Sequence, residues 1–174
     1  VRERVLAIGR RWSVSLVELV TLALELDESG TWALDGSPTC SHWIATALDV
    51  EVCTARGWLR VGRALRTLPL TAAAFASGAV SFTTVRALTK IATPDNEAEL
   101  LEIAVRTPAG KLGTALAGWS ARHEDEATRD RRHRRDRSMR WSTTPDGMVQ
   151  VSVNLTPELA AMILPAVDAE VMRG

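Results

Sequence analysis

Four arginines, Arg56, Arg60, Arg63 and Arg66, recur at intervals of four, three and three in CTARGWLRVGRALR, a stretch without an acidic residue. At 100° per residue they share a helical sector of about 120°. Trp58, Val61 and Leu65 fall on the other side, where they can face a core. A guanidinium grips a phosphate, or the O6 and N7 of guanine, with two parallel hydrogen bonds. One use of such a face is therefore contact with duplex DNA. A plain solvated face and a docking face for an acidic partner are the other two. Solvated helices usually mix signs to gain i,i+4 pairs, and this one does not.

The residues in front of the stripe resemble a device that would position it. SHWIATALDVEV predicts a short helix, then a turn near Asp49-Val50-Glu51, then the arginine helix. Ala45 is small enough for close helix packing. Leu48 and Val50 can fill the angle between the helices, and Thr54 can cap the second helix or touch a phosphate there. This is the pattern of a helix-turn-helix, whose second helix lies in the major groove, although the usual turn glycine is absent. Thr54, Arg56, Arg60, Arg63 and Arg66 are the expected DNA contacts. On this reading, Arg60→Glu with Arg63→Glu removes binding and leaves the fold intact.

The rest of the chain must supply the frame. Periodicity predicts helices at about 13–27, 41–48, 53–67, 70–77, 82–92, 94–106, 108–134 and 157–172. Thr93-Pro94, Thr107-Pro108 and Thr156-Pro157 read as helix starts, a capping threonine followed by a proline that has no N–H to leave unpaired. Ser81 reads as another cap, and Gly78 as the stop before it. Residues 139–155 alternate at Val149, Val151 and Val153 around a PDG turn and predict a β-hairpin. The expected fold is mainly α: a helical body over 1–120 with a helix-turn-helix-like segment at 41–67, followed over 121–174 by a charged helical arm, the hairpin and a terminal helix. The chain begins with valine rather than methionine, and a piece of a longer protein is expected.

Composition limits the alternatives. With 174 residues and 46% apolar content, the chain can bury one good core. Lys+Arg and Asp+Glu are both 21, so only the distribution of charge can point to a nucleic acid. Lys90 and Lys111 are the only lysines, a bias that either phosphate recognition or a high-GC genome would produce. Cys40 and Cys53 lack metal-site spacing, and reduced thiols in a cytoplasmic protein are expected. His42, His123 and His133 are scattered, so no metal ligand is assigned. The most apolar run, VSLVELVTLALEL, is too short for a membrane span and carries Glu18 and Glu25. The six tryptophans, Trp12, Trp32, Trp43, Trp58, Trp119 and Trp141, read as core filling.

Residues 122–140 are the most charged stretch, acidic first and basic later. That order suits a helix dipole and internal pairing. Arg131, Arg132, Arg134 and Arg135 are the candidates for secondary phosphate contacts. No catalytic residue is assigned: SGAVS is not a nucleophile elbow, GKL at Gly110 lacks the rest of a phosphate loop, and Asp125 and Glu126 sit among exposed charges.

Two resemblances widen the picture. The run from Ile44 through Leu68-Pro69, Gly78, Ser81 and Val85 to Leu88 is similar in pattern to the helix-turn-helix region of ParB-type partitioning proteins. A longer match involves Ala55-Arg56, Arg63-Ala64-Leu65, Leu68-Pro69, Ala74-Phe75, Gly78, Ser81, Val85-Arg86-Ala87-Leu88, Thr93-Pro94, Asp146-Gly147 and Leu155-Thr156-Pro157-Glu158. These elements resemble the N-terminal domain of the actinobacterial 13E12-repeat family, catalogued as domain of unknown function 222. The resemblance implies a C-terminal HNH nuclease module as partner, with a divalent metal there and no cofactor in these residues. The combined expectation is a DNA-binding or DNA-positioning domain. The alternative is a helical dimerisation or scaffold domain that docks on the nuclease module without touching DNA. A homodimer fits either, since helix-turn-helix domains often read paired half-sites.

Overall fold

The computed structural model describes residues 1–173 and is mainly α-helical with one two-stranded hairpin. In chain order the helices are α1 (Arg2–Ser29), α2 (Cys40–Leu48), α3 (Val52–Leu65), α4 (Pro69–Ala76), α5 (Phe82–Leu88), α6 (Glu97–Arg106), α7 (Ala109–His123), α8 (Glu126–Asp136) and α9 (Pro157–Val171). Strands β1 (Ser138–Thr143) and β2 (Val149–Asn154) lie between α8 and α9. The chain divides into two compact units, Val1–Trp119 and the residues from Ser120 onward.

The first unit holds the cores. Leu16, Val20, Ala23, Cys40, Ile44, Ala55, Trp58, Leu59, Val61, Phe75, Val80 and Val85 form one buried cluster. Leu88, Leu100, Ala104, Leu112, Leu116 and Trp119 form a second. Helix α3 is at the centre of the first. It packs on α1 and α2, burying Ala55, Trp58, Leu59, Val61 and Gly62, and also touches α4 and α5. Gly62 sits so close to α1 that an added Cβ would lie 3.3 Å from Val20 Cγ1 and from the Val20 carbonyl oxygen, and 3.4 Å from Leu24 Cβ.

Local chemistry explains most helix ends. The Thr39, Ser81 and Thr156 side chains cap α2, α5 and α9, and Pro69 and Pro157 occupy first-turn positions. Gly78 takes φ 74° after α4. The buried Glu97 carboxylate accepts a 2.6 Å hydrogen bond from the Thr71 backbone N–H in the first turn of α4, tying α6 to that helix end.

Several boundaries differ from the sequence reading. Helix α1 begins at Arg2 rather than near 13; its first half leaves Val5, Leu6, Ile8 and Trp12 exposed. Thr93-Pro94 does not start α6, whose N-cap is Asn96; the Asn96 carboxamide instead accepts from Thr93 N–H. The long helix expected over 108–134 is two, because Asp125 caps a new start by accepting from Thr128 N–H at 2.9 Å.

The second unit is built differently. No residue from Ala121 to Arg173 is buried. β1 and β2 pair antiparallel from Ser138–Asn154 to Thr143–Val149 around a turn in which Gly147 takes φ 84°. No helix of the described residues is long and apolar enough to cross a membrane.

Gly62→Ala tests the α1–α3 contact. The new methyl meets a backbone oxygen that cannot swing aside, so we expect a loss of about 1–3 kcal/mol in urea unfolding. Gly57→Ala on the same helix, where a Cβ meets nothing within 4 Å, should instead stabilise by up to about 1 kcal/mol.

Candidate nucleic-acid interface

Helices α2 and α3 follow one another across a three-residue turn, Asp49 to Glu51. Nine residues of α2 are followed by Asp49, which takes the left-handed conformation at φ 52°, ψ 53°, and α3 begins at Val52. Asp49 is the one non-glycine with positive φ among the described residues. It stands where a glycine would be the easy choice, and a short polar side chain tolerates the conformation better than most. Ile44 and Ala45 are buried against α3 and Val50 packs partly into the core, while Leu48 is 47% exposed rather than inserted between the helices.

The arginine face is real but mostly engaged within the chain. Arg60 is half-buried and points at the end of α5. Its guanidinium donates to the Arg86 carbonyl at 3.1 Å and to the Thr89 hydroxyl and carbonyl at 3.2 and 3.4 Å. A cation at a helix C-terminus satisfies free carbonyls and complements the dipole. Burial, and secondarily the like charge of Arg86, lower its pKa from the ordinary arginine value. Arg63 pairs with Asp27 at 2.5 Å, and Arg66 pairs with Glu28. Both acids close the last turn of α1, so the stretch that lacks acids in sequence acquires them in space. Arg56 is exposed and, among the described residues, has no ion pair or hydrogen bond from its side chain.

Thr54 does not cap α3. The N-cap is Glu51, without a side-chain bond, and Thr54 is exposed in the first turn. Arg60→Glu is likewise no clean probe of DNA contact, since it would place a carboxylate among the α5 carbonyls.

Arg56 borders a groove of about 340 Å³ that Asp27, Trp32, Thr39, Cys40, Ser41, Leu59 and Arg63 also line. The first turn of α2 opens here. Thr39 caps it, accepting from His42 N–H and sharing hydrogen bonds with Ser41 Oγ and His42 Nδ1. The sequence reading overlooked Thr39 and Ser41 because it started α2 at 41; the threonine before Cys40-Ser41-His42 was the available signal. Burial, and next the charge of Asp27, raise the Cys40 thiol above its usual pKa, whereas Cys53 is exposed.

The secondary candidates are locally paired. Arg132 binds Glu124 with two hydrogen bonds of 3.1 and 2.6 Å, Arg134 lies 3.9 Å from Asp130, Arg135 lies 3.0 Å from Asp136, and Arg131 donates to Ala127 O and Thr128 Oγ1. Their arrangement follows the internal pairing that the charge order suggested. No three His, Cys, Asp or Glu side chains of the described residues cluster in a way that could hold a metal ion.

The family described as "Domain of unknown function (DUF222)" matches the chain over residues 1–171. The chain belongs to this family. No curated protein and no solved structure matches it. In this DUF222 chain, then, α2 and α3 flank a three-residue turn, Arg56 and the start of α2 share a groove, Arg60 binds the end of α5, and Arg63 and Arg66 pair with acids at the end of α1.

The division of labour among the arginines is measurable. Replacing Arg60 with Met leaves the α5 carbonyls without their charged donor and should cost about 2 kcal/mol in urea unfolding. Arg56→Met should change stability by less than about 0.5 kcal/mol.

Proposed function

We propose that this domain binds duplex DNA through the helix-turn-helix formed by α2 and α3, with the exposed start of α3 facing the groove. The observation that carries this reading is the α2–turn–α3 backbone, with Asp49 in the left-handed position and Arg56 exposed in the first half of α3 without an ion pair among the described residues. Arg56 and Thr54 are the proposed contacts from α3. The first turn of α2, at Thr39 to Ser41, offers the positive end of a helix dipole to a backbone phosphate in the same groove. Arg60 belongs to the frame. Arg63 and Arg66 are exposed ion pairs of the kind that contribute little stability, so they can turn to phosphate on encounter without loss of the fold. Arg134 and Arg135 on α8 are proposed as secondary phosphate contacts by the same argument, Arg131 as another because it is exposed and held only by local hydrogen bonds, and the less exposed Arg132–Glu124 pair is proposed to remain structural.

The resemblance to the actinobacterial 13E12-repeat family supports a larger setting. There the domain would position an HNH nuclease module on DNA in the cytoplasm, and the divalent metal would belong to that module. The alternative, a scaffold that leaves DNA to its partner module, has the uncovered surfaces of α9 and the hairpin in its favour.

Fluorescence anisotropy of a labelled random duplex across a salt series separates the two. DNA contact predicts binding that weakens steeply as salt rises, because cations on the protein displace counterions from phosphates. Arg56→Glu should weaken it about tenfold or more and flatten the salt dependence by about one unit of log–log slope. Absence of binding at low salt overturns the proposal and leaves the scaffold reading.

A further inference from the structure

We propose that the apolar face of the β1–β2 hairpin is a self-association surface that packs against the same face of a second copy of this chain. The register places Met139 opposite Val153, Trp141 opposite Val151 and Thr143 opposite Val149. Directly opposed residues of an antiparallel pair project to one side, and neighbours along a strand project to the other. One face of the ribbon therefore carries Met139, Trp141, Val149, Val151, Val153 and Thr143. The other carries Ser138, Arg140, Ser142, Gln150, Ser152 and Asn154, all polar.

Within the second unit, none of the described residues covers the apolar face. With all described residues present, Trp141 is 70% exposed, Val149 63%, Met139 59%, Val151 51% and Val153 44%. A single two-stranded hairpin is marginal in water by itself, and an uncovered apolar face of this purity is unusual for a protein surface. β2 (VQVSVN) also carries no charge, proline or glycine, the devices that keep an open strand from pairing with other chains.

A second copy fits what this face offers. The face is uncharged, so two copies meet without repulsion, and Arg140 points away on the opposite side. Two such ribbons can stack about 10 Å apart, as sheets do. Those five residues expose roughly 600 Å² per copy, so a symmetric pair would bury at most about 1,200 Å², the lower end of specific interfaces. The contact is isologous, which closes the assembly at two chains. It carries its own evidence and does not depend on DNA binding.

Light scattering on size-separated protein, run from about 1 to 100 μM, tests the surface across a range of typical weak-dimer affinities. The expected result is a dimer that becomes monomeric in Val151→Arg, with Kd raised at least about 100-fold, while Ser152→Arg on the polar face remains dimeric. A monomer at every concentration, open-ended larger assemblies, or a dimer that Val151→Arg leaves unchanged would each overturn the proposal. Should circular dichroism show that Val151→Arg disturbs the fold, Val151→Thr decides, being of the same shape and at home in strands. It should raise Kd several-fold, and an unchanged Kd overturns the proposal equally.

Discussion

The close crossing of α1 and α3 is the constraint on which the first unit depends. At Gly62 the helices approach until a single extra carbon would press on Val20 and Leu24. That distance brings Val61 and Leu59 into the core together with Leu16, Val20 and Ala23. It also brings Arg63 and Arg66, one and four positions beyond the glycine, within reach of Asp27 and Glu28 at the end of α1. The crossing thus accounts for both the buried side of α3 and the pairing of part of its charged side. Placement of α3 in turn directs Arg60 toward α5.

The four arginines show why a shared face does not mean a shared role. Helical spacing puts them in one sector, but that sector spans several neighbours. Arg60 meets helix-end carbonyls, which need a donor and cannot find one in solvent while partly covered. Arg63 and Arg66 meet carboxylates at the edge, with their own side chains 58% and 56% exposed, where screening makes a pair worth little. Arg56, one turn nearer the start of α3, is exposed and has no ion pair or side-chain hydrogen bond among the described residues. This gradient from structural to free cation runs along fewer than three turns of one helix.

What the sequence made legible follows the range of the interactions. Features decided within four or five residues were readable: the serine and threonine caps at Ser81 and Thr156, the turn at Gly147, the alternating valines of β2, and the amphipathic course of α3. Features decided by distant residues were not. Nothing in the spacing of Arg63 or Arg66 points to acids 36 and 38 positions earlier, and nothing near Arg60 points to Thr89. The first half of α1 was missed for a different reason. Val5, Ile8 and Trp12 do recur at helical spacing there, but they stay exposed rather than joining the core. The left-handed Asp49 was hidden because the search for a turn glycine looked for a residue type where the backbone conformation was what mattered.

The two units illustrate opposite ways of holding a chain in shape. Residues 1–119 bury two apolar clusters and place most polar groups at helix ends or in pairs. From Ala121 onward the order comes from short-range devices: the Asp125 and Thr156 caps, the Arg132–Glu124 bridge and one six-residue ladder. Such devices set local conformation, yet each contributes on the order of 1 kcal/mol, which is small against the entropy of ordering some fifty residues. The apolar side chains that could make up the difference, Trp141 and the β2 valines on the ribbon and Met162, Ile163 and Val167 on α9, are present but remain in water. A strand that alternates so cleanly between valine and polar residues is built to cover something on one side. Within this unit's own described residues that apolar surface stays uncovered.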